Sequence, residues 1–181
     1  MDWWERVPGH KWVDLEPHLG RISELANTRE EQKTGVPSRH QFEDTRPSHF
    51  KGLCGELAVS LATGIPFNEE MYGYHGAEGH DFTHNGLRYD VKTVTHWGDP
   101  DLKEFLKPKV WSDRYILVAL RSERWTHIVG WASGAQLQSA GIVDYGWGPR
   151  RNISHRELHE MGQMGLPPDM SRDYLAHCEP E

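Results

Sequence analysis

Cysteine is scarce in this chain of 181 residues, which contains only Cys54 and Cys178. Two cysteines cannot build the disulfide framework that stabilises small secreted domains. Cys54 lies in an apolar stretch, so we expect it to be a small buried side chain rather than a reactive one.

Long apolar runs are absent too. No run approaches the roughly 18 residues that a membrane-spanning helix needs. Residues 1–6, MDWWER, lack the basic start and apolar core of a secretory signal. We therefore expect a cytoplasmic protein that has no membrane partner.

The chain also lacks the basic excess of a typical nucleic-acid-binding protein, because its formal net charge is −7. Binding to nucleic acid through overall charge is thus unexpected. Local binding is still open, since basic residues cluster at Arg46 with Lys51, at Lys103 with Lys107 and Lys109, and at Arg150 with Arg151. If one cluster lines a cleft, affinity for DNA should fall steeply with salt.

The residues that are plentiful are typical of a folded protein. Charged residues make up 26% of the chain, and eight tryptophans supply large apolar surfaces. The length suits a single domain, and the order of predicted elements favours an α/β (α+β) fold with a mixed central sheet flanked by helices. We divide it into an N-terminal helical extension (1–45), a core (46–135) and a C-terminal helical extension with a tail (136–181).

Hydrophobic periodicity predicts helices and strands along the chain. A helix is expected to start near Asp14–Pro17, and a second from residue 47 or 48 to Thr63, with Gly64 as its C-terminal cap. The apolar run 115–120 reads as a central strand, and 125–131 as its neighbour. Further predictions are a short strand within 67–74, short helices over 101–106 and 135–140, and a helix from the capping box Ser154–Glu157 to Met161.

The most informative stretch is residues 79–93. Asn85-Gly86 suits the two left-handed positions of a type I′ turn and predicts a hairpin. A two-residue loop pairs Phe82 with Tyr89 and brings Asp81 opposite Asp90. Phe82, Leu87, Tyr89 and Val91 then form an apolar face, whereas Thr83, Arg88, Asp90 and Lys92 form a polar one.

Two opposed aspartates are unfavourable unless a cation lies between them. Hard Mg²⁺ prefers carboxylate oxygens and needs only one or two of them beside water and phosphate. Lys92 shares the face of Asp90, so its ammonium could reach a phosphate or water held there. Glu56 is a further candidate acid because it lies among small and apolar residues of the second helix, although it could instead point to solvent or pair with Lys51 or Arg46.

These residues resemble a family. His80-Asp81 followed by Asp90-Val91-Lys92 is similar to the signature of the PD-(D/E)XK nucleases, with histidine where the family often has proline. Gly55-Glu56-Leu57-Ala58 resembles the G-E-x-A helix that precedes the hairpin in many members. The resemblance spans residues 46 to 132 and implies a restriction-endonuclease-like core.

The resemblance implies a metal-dependent deoxyribonuclease. Asp81, Asp90, the carbonyl of Val91 and Glu56 would hold one or two Mg²⁺ or Mn²⁺ ions, and Lys92 would orient the attacking water or stabilise developing charge. The catalytic residues would be Glu56, Asp81, Asp90 and Lys92. The substrate would be DNA in processing, recombination, repair or restriction, in a bacterial or phage setting. Residues after Lys92 contain no Gln-x-x-x-Tyr pattern of the RecB-like subgroup.

Other functions are open at this point. The chain could be a nuclease-fold module that binds DNA or a protein without cutting. It could also be a structural zinc protein, because His155 and His159 would lie one helical turn apart, with His177 or Cys178 as further ligands. Assembly as a homodimer is a further alternative.

Overall fold

Both helices and strands occur in the computed structural model, which describes residues 11–31, 46–67, 80–95, 100–106, 112–146 and 148–164. The helices are α1 (Leu19–Glu31), α2 (Arg46–Thr63) and α3 (Gly134–Ser139). The strands are β1 (Lys11–Asp14), β2 (Phe82–His84), β3 (Leu87–Val94), β4 (Asp101–Phe105), β5 (Arg114–Leu120), β6 (Trp125–Ser133), β7 (Gly141–Asp144) and β8 (Pro149–Ser154).

The described strands form two sheets. The larger has the order β1-β6-β5-β3-β2, and the smaller has the order β4-β8-β7. Strands β3 and β5 run parallel, and all other pairs are antiparallel. The larger sheet is therefore mixed, which confirms the predicted α+β class.

Strand β5 lies at the centre of the larger sheet and is covered on both faces, as predicted. Ile116 and Val118 belong to an apolar cluster shared with α1 and α2. Leu117 and Ala119 belong to a second cluster that includes Leu102, Leu137 and Ile153 from β4, α3 and β8. Because neighbouring side chains of a strand point to opposite faces, the two helices and the smaller sheet lie on opposite sides of β5.

The hairpin forms as predicted. Asn85 has φ 51° and Gly86 has φ 75°, the two left-handed positions of a type I′ turn. Phe82 pairs with Tyr89, Thr83 with Arg88 and His84 with Leu87. Phe82 stacks on Tyr89 with ring centroids 5.0 Å apart, so the apolar face of the hairpin packs on the core.

Helix α2 packs unusually closely on β3 because position 55 is glycine. A Cβ atom there would meet Oγ1 of Thr93 at 2.1 Å and Cγ1 of Val91 at 3.3 Å. At the C-terminal end of the helix, Gly64 has φ 71° and ends the helix as predicted. Gly55 thus allows α2 to approach β3 closely at the residue next to Glu56.

Two predicted helices were wrong. Residues 101–105 form strand β4, because they pair in register with β8 and place Leu102 in the core. The capping box at Ser154 is present, but it opens only a 3-10 turn over His155–Glu157. His159 then forms an isolated bridge with Trp131, so His155 and His159 are not one turn apart on a helix.

Several predictions concern residues outside the described part of the chain, namely Lys107, Lys109, His177, Cys178 and the tail after residue 164. The strand expected within 67–74 also lies outside it, except for Phe67, which is described and is not in a strand. Strands β1, β7 and β8 were not predicted. None of the helices in the described part of the chain has the length and apolar character needed to cross a membrane.

Candidate active site

Four predicted residues interact electrostatically around strand β3. Glu56 comes from α2, Asp81 precedes β2, and Asp90 and Lys92 lie on β3. A fifth residue, Glu104 of β4, joins them through Lys92. We refer to Glu56, Asp81, Asp90 and Glu104 as the acid cluster.

Lys92 bridges two members of the acid cluster. Its Nζ lies 2.9 Å from Oδ1 of Asp90 and 2.7 Å from Oε2 of Glu104. Burial alone would lower the pKa of Lys92, but the two carboxylates outweigh that effect and raise it. Lys92 is therefore a fixed cation at neutral pH.

Glu104 was not among the predicted site residues, because the sequence pattern predicts a helix over residues 101–106. Its side chain is only 4% exposed, next to Phe105, which is 53% exposed. The signal that could have revealed it is alternation: Leu102 and Glu104 share the buried face of β4, and a glutamate at an inward position needs a cationic partner. Lys92 is that partner.

Asp81 takes a different position from the one predicted. Regular pairing of the hairpin ends at Phe82 and Tyr89, and the amide of Asp81 donates to the carbonyl oxygen of Tyr89 at 2.8 Å. Asp81 and Asp90 are thus not direct cross-strand partners. Instead, the N–H of Val91 donates to Oδ2 of Asp81 at 2.6 Å, which directs that carboxylate towards β3.

The predicted role of Val91 was to offer its carbonyl to a metal. The contact found is through its amide, which donates to Asp81. Ligation by the carbonyl stays a prediction.

Glu56 is held by a residue that the sequence did not suggest. Nη2 of Arg29, on α1, lies 3.5 Å from Oε2 of Glu56, whereas the predicted alternatives were Lys51 and Arg46. Burial raises the pKa of Glu56, Arg29 lowers it, and the charge of Asp90 raises it again. The balance is a pKa above the usual value for glutamate.

The pKa values of the two aspartates are raised as well. Burial, with repulsion from Glu56, raises the pKa of Asp81 to about 7 despite its hydrogen bond from Val91. Burial also raises the pKa of Asp90 to about 6, with Lys92 opposing the shift and Asp81 adding to it. Glu56, Asp81 and Asp90 each have their pKa raised partly by another member of the cluster.

Such a cluster fits a hard divalent cation in its chemistry. Buried carboxylates that repel one another are relieved by positive charge, and carboxylate oxygens are the ligands that Mg²⁺ prefers. Among the described residues, however, no group of three or more His, Cys, Asp or Glu side chains is arranged to hold a metal ion. In proteins Mg²⁺ is often bound by only one or two carboxylates, together with water and phosphate.

Comparisons with models of known protein families, with curated proteins and with solved structures gave no match to this chain.

Proposed function

We propose that the protein is a metal-dependent deoxyribonuclease that hydrolyses phosphodiester bonds with the acid cluster and Lys92. The observation that carries the proposal is the electrostatic interaction among Glu56, Asp81, Asp90 and Lys92, which come from two separate segments of the chain and surround strand β3. These are the residues on which the resemblance to PD-(D/E)XK nucleases rests.

The raised pKa values of the carboxyl groups support the proposal. Perturbed pKa values produced by burial and by specific charged neighbours are typical of functional sites. A cluster of buried carboxylates with one lysine also lowers stability, and a functional role would explain why the protein keeps it. A divalent cation would lower that cost and simultaneously attract a phosphate.

Each residue has a distinct role in the proposed reaction. Asp81 and Asp90 would hold a Mg²⁺ or Mn²⁺ ion, with Glu56 close by. When bound, such an ion polarises a phosphate oxygen and lowers the pKa of water. Lys92 would place its ammonium near the phosphate and stabilise the charge that develops there. Asp90 and Glu104 fix the position of that ammonium and keep it protonated.

Cleavage assays test the proposal directly. Linear, nicked, branched and single-stranded DNA are incubated with the purified protein in Mg²⁺, Mn²⁺ or EDTA. We expect cleavage with either metal, none in EDTA, and a loss of about 100-fold or more in Asp90→Asn. Glu24→Gln removes an exposed acid of α1 and serves as the control that keeps full activity.

The result that contradicts the proposal is equally clear. Cleavage that persists in EDTA, or full activity in a folded Asp90→Asn protein, would remove the acid cluster from the reaction. If the wild-type protein binds DNA but never cuts it, the fold serves as a binding module instead.

A further inference from the structure

The smaller sheet exposes a face that the acid cluster does not use. Side chains at Lys103 and Phe105 of β4, Arg150 and Asn152 of β8, and Tyr145 just after β7 lie on it. We call this face the platform. Its aromatic rings are open to solvent, with Phe105 53% and Tyr145 39% exposed.

A basic side chain lies over each exposed ring of the platform. The guanidinium of Arg150 lies 4.1 Å from the centre of the Phe105 ring, and Nζ of Lys103 lies 4.1 Å from the centre of the Tyr145 ring. These contacts hold the two long basic side chains over one face of each ring, so a base would stack on the other face. Positive charge is thus concentrated on this face of a protein whose net charge is −7.

Hydrogen bonds organise the centre of the platform. The hydroxyl of Tyr145 donates to Oδ1 of Asn152 at 2.9 Å, and Nδ2 of Asn152 donates to Oδ2 of Asp101 at 3.3 Å. The carboxylate of Asp101 on this face is therefore engaged with an amide. Tyr145, although beyond the end of β7, is anchored to the sheet.

The chemistry of this face identifies its ligand. Exposed aromatic rings bind unpaired bases by stacking, and lysine and arginine beside them bind the phosphates that link those bases. Bases in a duplex are already stacked on one another and cannot lie on a protein ring. A polyanion that carries unpaired aromatic bases matches both the rings and the cations.

We propose that the platform binds single-stranded DNA through stacking of bases on Phe105 and Tyr145 and phosphate contacts from Lys103 and Arg150. The choice of DNA rests on the proposed function. Strand β4 connects the two sites, because Glu104 pairs with Lys92 on one face while its neighbours Lys103 and Phe105 belong to the other. The platform would thus hold an unpaired segment of the DNA that is cut.

The test is binding without catalysis. Fluorescence anisotropy follows a labelled oligothymidylate of about 16 nucleotides, a length that covers the usual site of one single-strand-binding fold, in EDTA at low salt. A duplex of the same length and an oligouridylate are the comparison ligands. Because EDTA prevents metal-dependent cleavage, binding can succeed when the proposed nuclease activity fails, and the reverse.

Substitutions at Phe105 and Tyr145 test whether the two rings bind the oligothymidylate. Phe105→Ala and Tyr145→Ala should each raise the Kd for oligothymidylate about tenfold, within the range measured for loss of one stacked base. Tyr145→Phe keeps the ring and should bind nearly as well as wild type. Ile142→Ala is the matched control, since Ile142 is 56% exposed on the opposite face of the same sheet.

Several outcomes overturn the proposal. These are a wild-type protein that does not bind oligothymidylate, one that binds the duplex equally well, and folded alanine variants with unchanged Kd. An equal loss in Ile142→Ala would show that the effect is not specific to the platform. Much tighter binding to oligouridylate would overturn the assignment to DNA.

Discussion

Nζ of Lys92 lies 2.7 Å from Oε2 of Glu104, a side chain that is 4% exposed. This ion pair joins the hairpin of the larger sheet to the edge strand of the smaller one. Removing one partner of a buried pair leaves an uncompensated charge, which is far more destabilising than the pair is stabilising. Lys92 therefore has a structural role in addition to its proposed catalytic one.

Replacement of Lys92 by methionine tests that structural role. We expect Lys92→Met to lower the free energy of unfolding by about 3–5 kcal/mol at pH 8, since Asp90 and Glu104 lose their shared cation. At pH 5 the loss should be smaller, because Asp90, with a pKa of about 6, is then largely protonated. Urea denaturation measures both values.

A double substitution provides the control for Lys92. Lys92→Met combined with Glu104→Gln should recover part of the lost stability at pH 8, because one unpaired carboxylate is removed. A single variant as stable as wild type would show that the ion pair contributes nothing. Activity is better tested with Lys92→Arg, which keeps the positive charge but changes the geometry of its donors.

Gly55 permits close contact between α2 and β3, so alanine at this position should be poorly tolerated. Its Cβ would lie 2.1 Å from Oγ1 of Thr93, and we expect Gly55→Ala to lower the free energy of unfolding by about 1–3 kcal/mol through overpacking. The displacement of Glu56 should also reduce any cleavage. Thermal and urea denaturation measure the stability.

Gly52, in the same helix, is the matched control. A Cβ there meets only Oε1 of Glu56 at 3.9 Å, an ordinary contact. Gly52→Ala should therefore raise the free energy of unfolding by about 0.5–1 kcal/mol, because alanine favours a helix interior over glycine. Equal effects of the two substitutions would contradict the packing argument.

The acid cluster should make the protein less stable as pH rises. Asp81 has a pKa of about 7 in the folded state, against about 4 when unfolded. Between these values the folded state binds more protons, so stability is highest at low pH and falls as pH rises through about 7. Asp90, with a pKa of about 6, acts in the same direction.

Asp81→Asn tests this dependence while it keeps an oxygen that can accept from the Val91 amide. Without divalent cations, the variant should exceed wild type by about 1–4 kcal/mol in free energy of unfolding at pH 8 and differ little at pH 4. Mg²⁺ should stabilise wild type at pH 8 more than it stabilises Asp81→Asn. A variant that is less stable than wild type at pH 8 would contradict the assigned pKa direction.

Arg29 should tune the pH range of activity. It lowers the pKa of Glu56 and, more weakly, that of Asp81. If cleavage requires ionised carboxylates, Arg29→Met should move the acidic limb of the pH–rate profile to higher pH. Arg21→Met, on an exposed position of α1, should leave the profile in place; a shift of the same size in both variants would rule out a specific effect of Arg29.

The sequence predicted the hairpin and the central strands because local chemistry determines them. Asn85-Gly86 specifies its turn, and the unbroken apolar run from Tyr115 to Leu120 leaves no polar face for solvent. Asp90 and Lys92 became candidate site residues for the same reason, because alternation along the hairpin places them on one face. Gly64 also ended its helix where its preference for positive φ indicated.

The remainder depends on contacts between distant segments. The stretch 101–105 contains residues that suit either a helix or a strand, and only pairing with β8 decides it. Glu104 was lost with that error, and Arg29 could not be linked to Glu56 across 27 positions. The offset of Asp81 likewise follows from where hairpin pairing stops, which alternation alone does not reveal.

Strand β1 joins the sheet beside β6, and the contact of Asp14 with Arg124 spans 110 positions. Such distant pairings slow folding, because a long loop must close before they form. During synthesis, β1 therefore stays unpaired until β6 has been made. The hairpin that carries Asp90 and Lys92, at the opposite edge of the sheet, can form much earlier. The edge formed by β1 is therefore completed last.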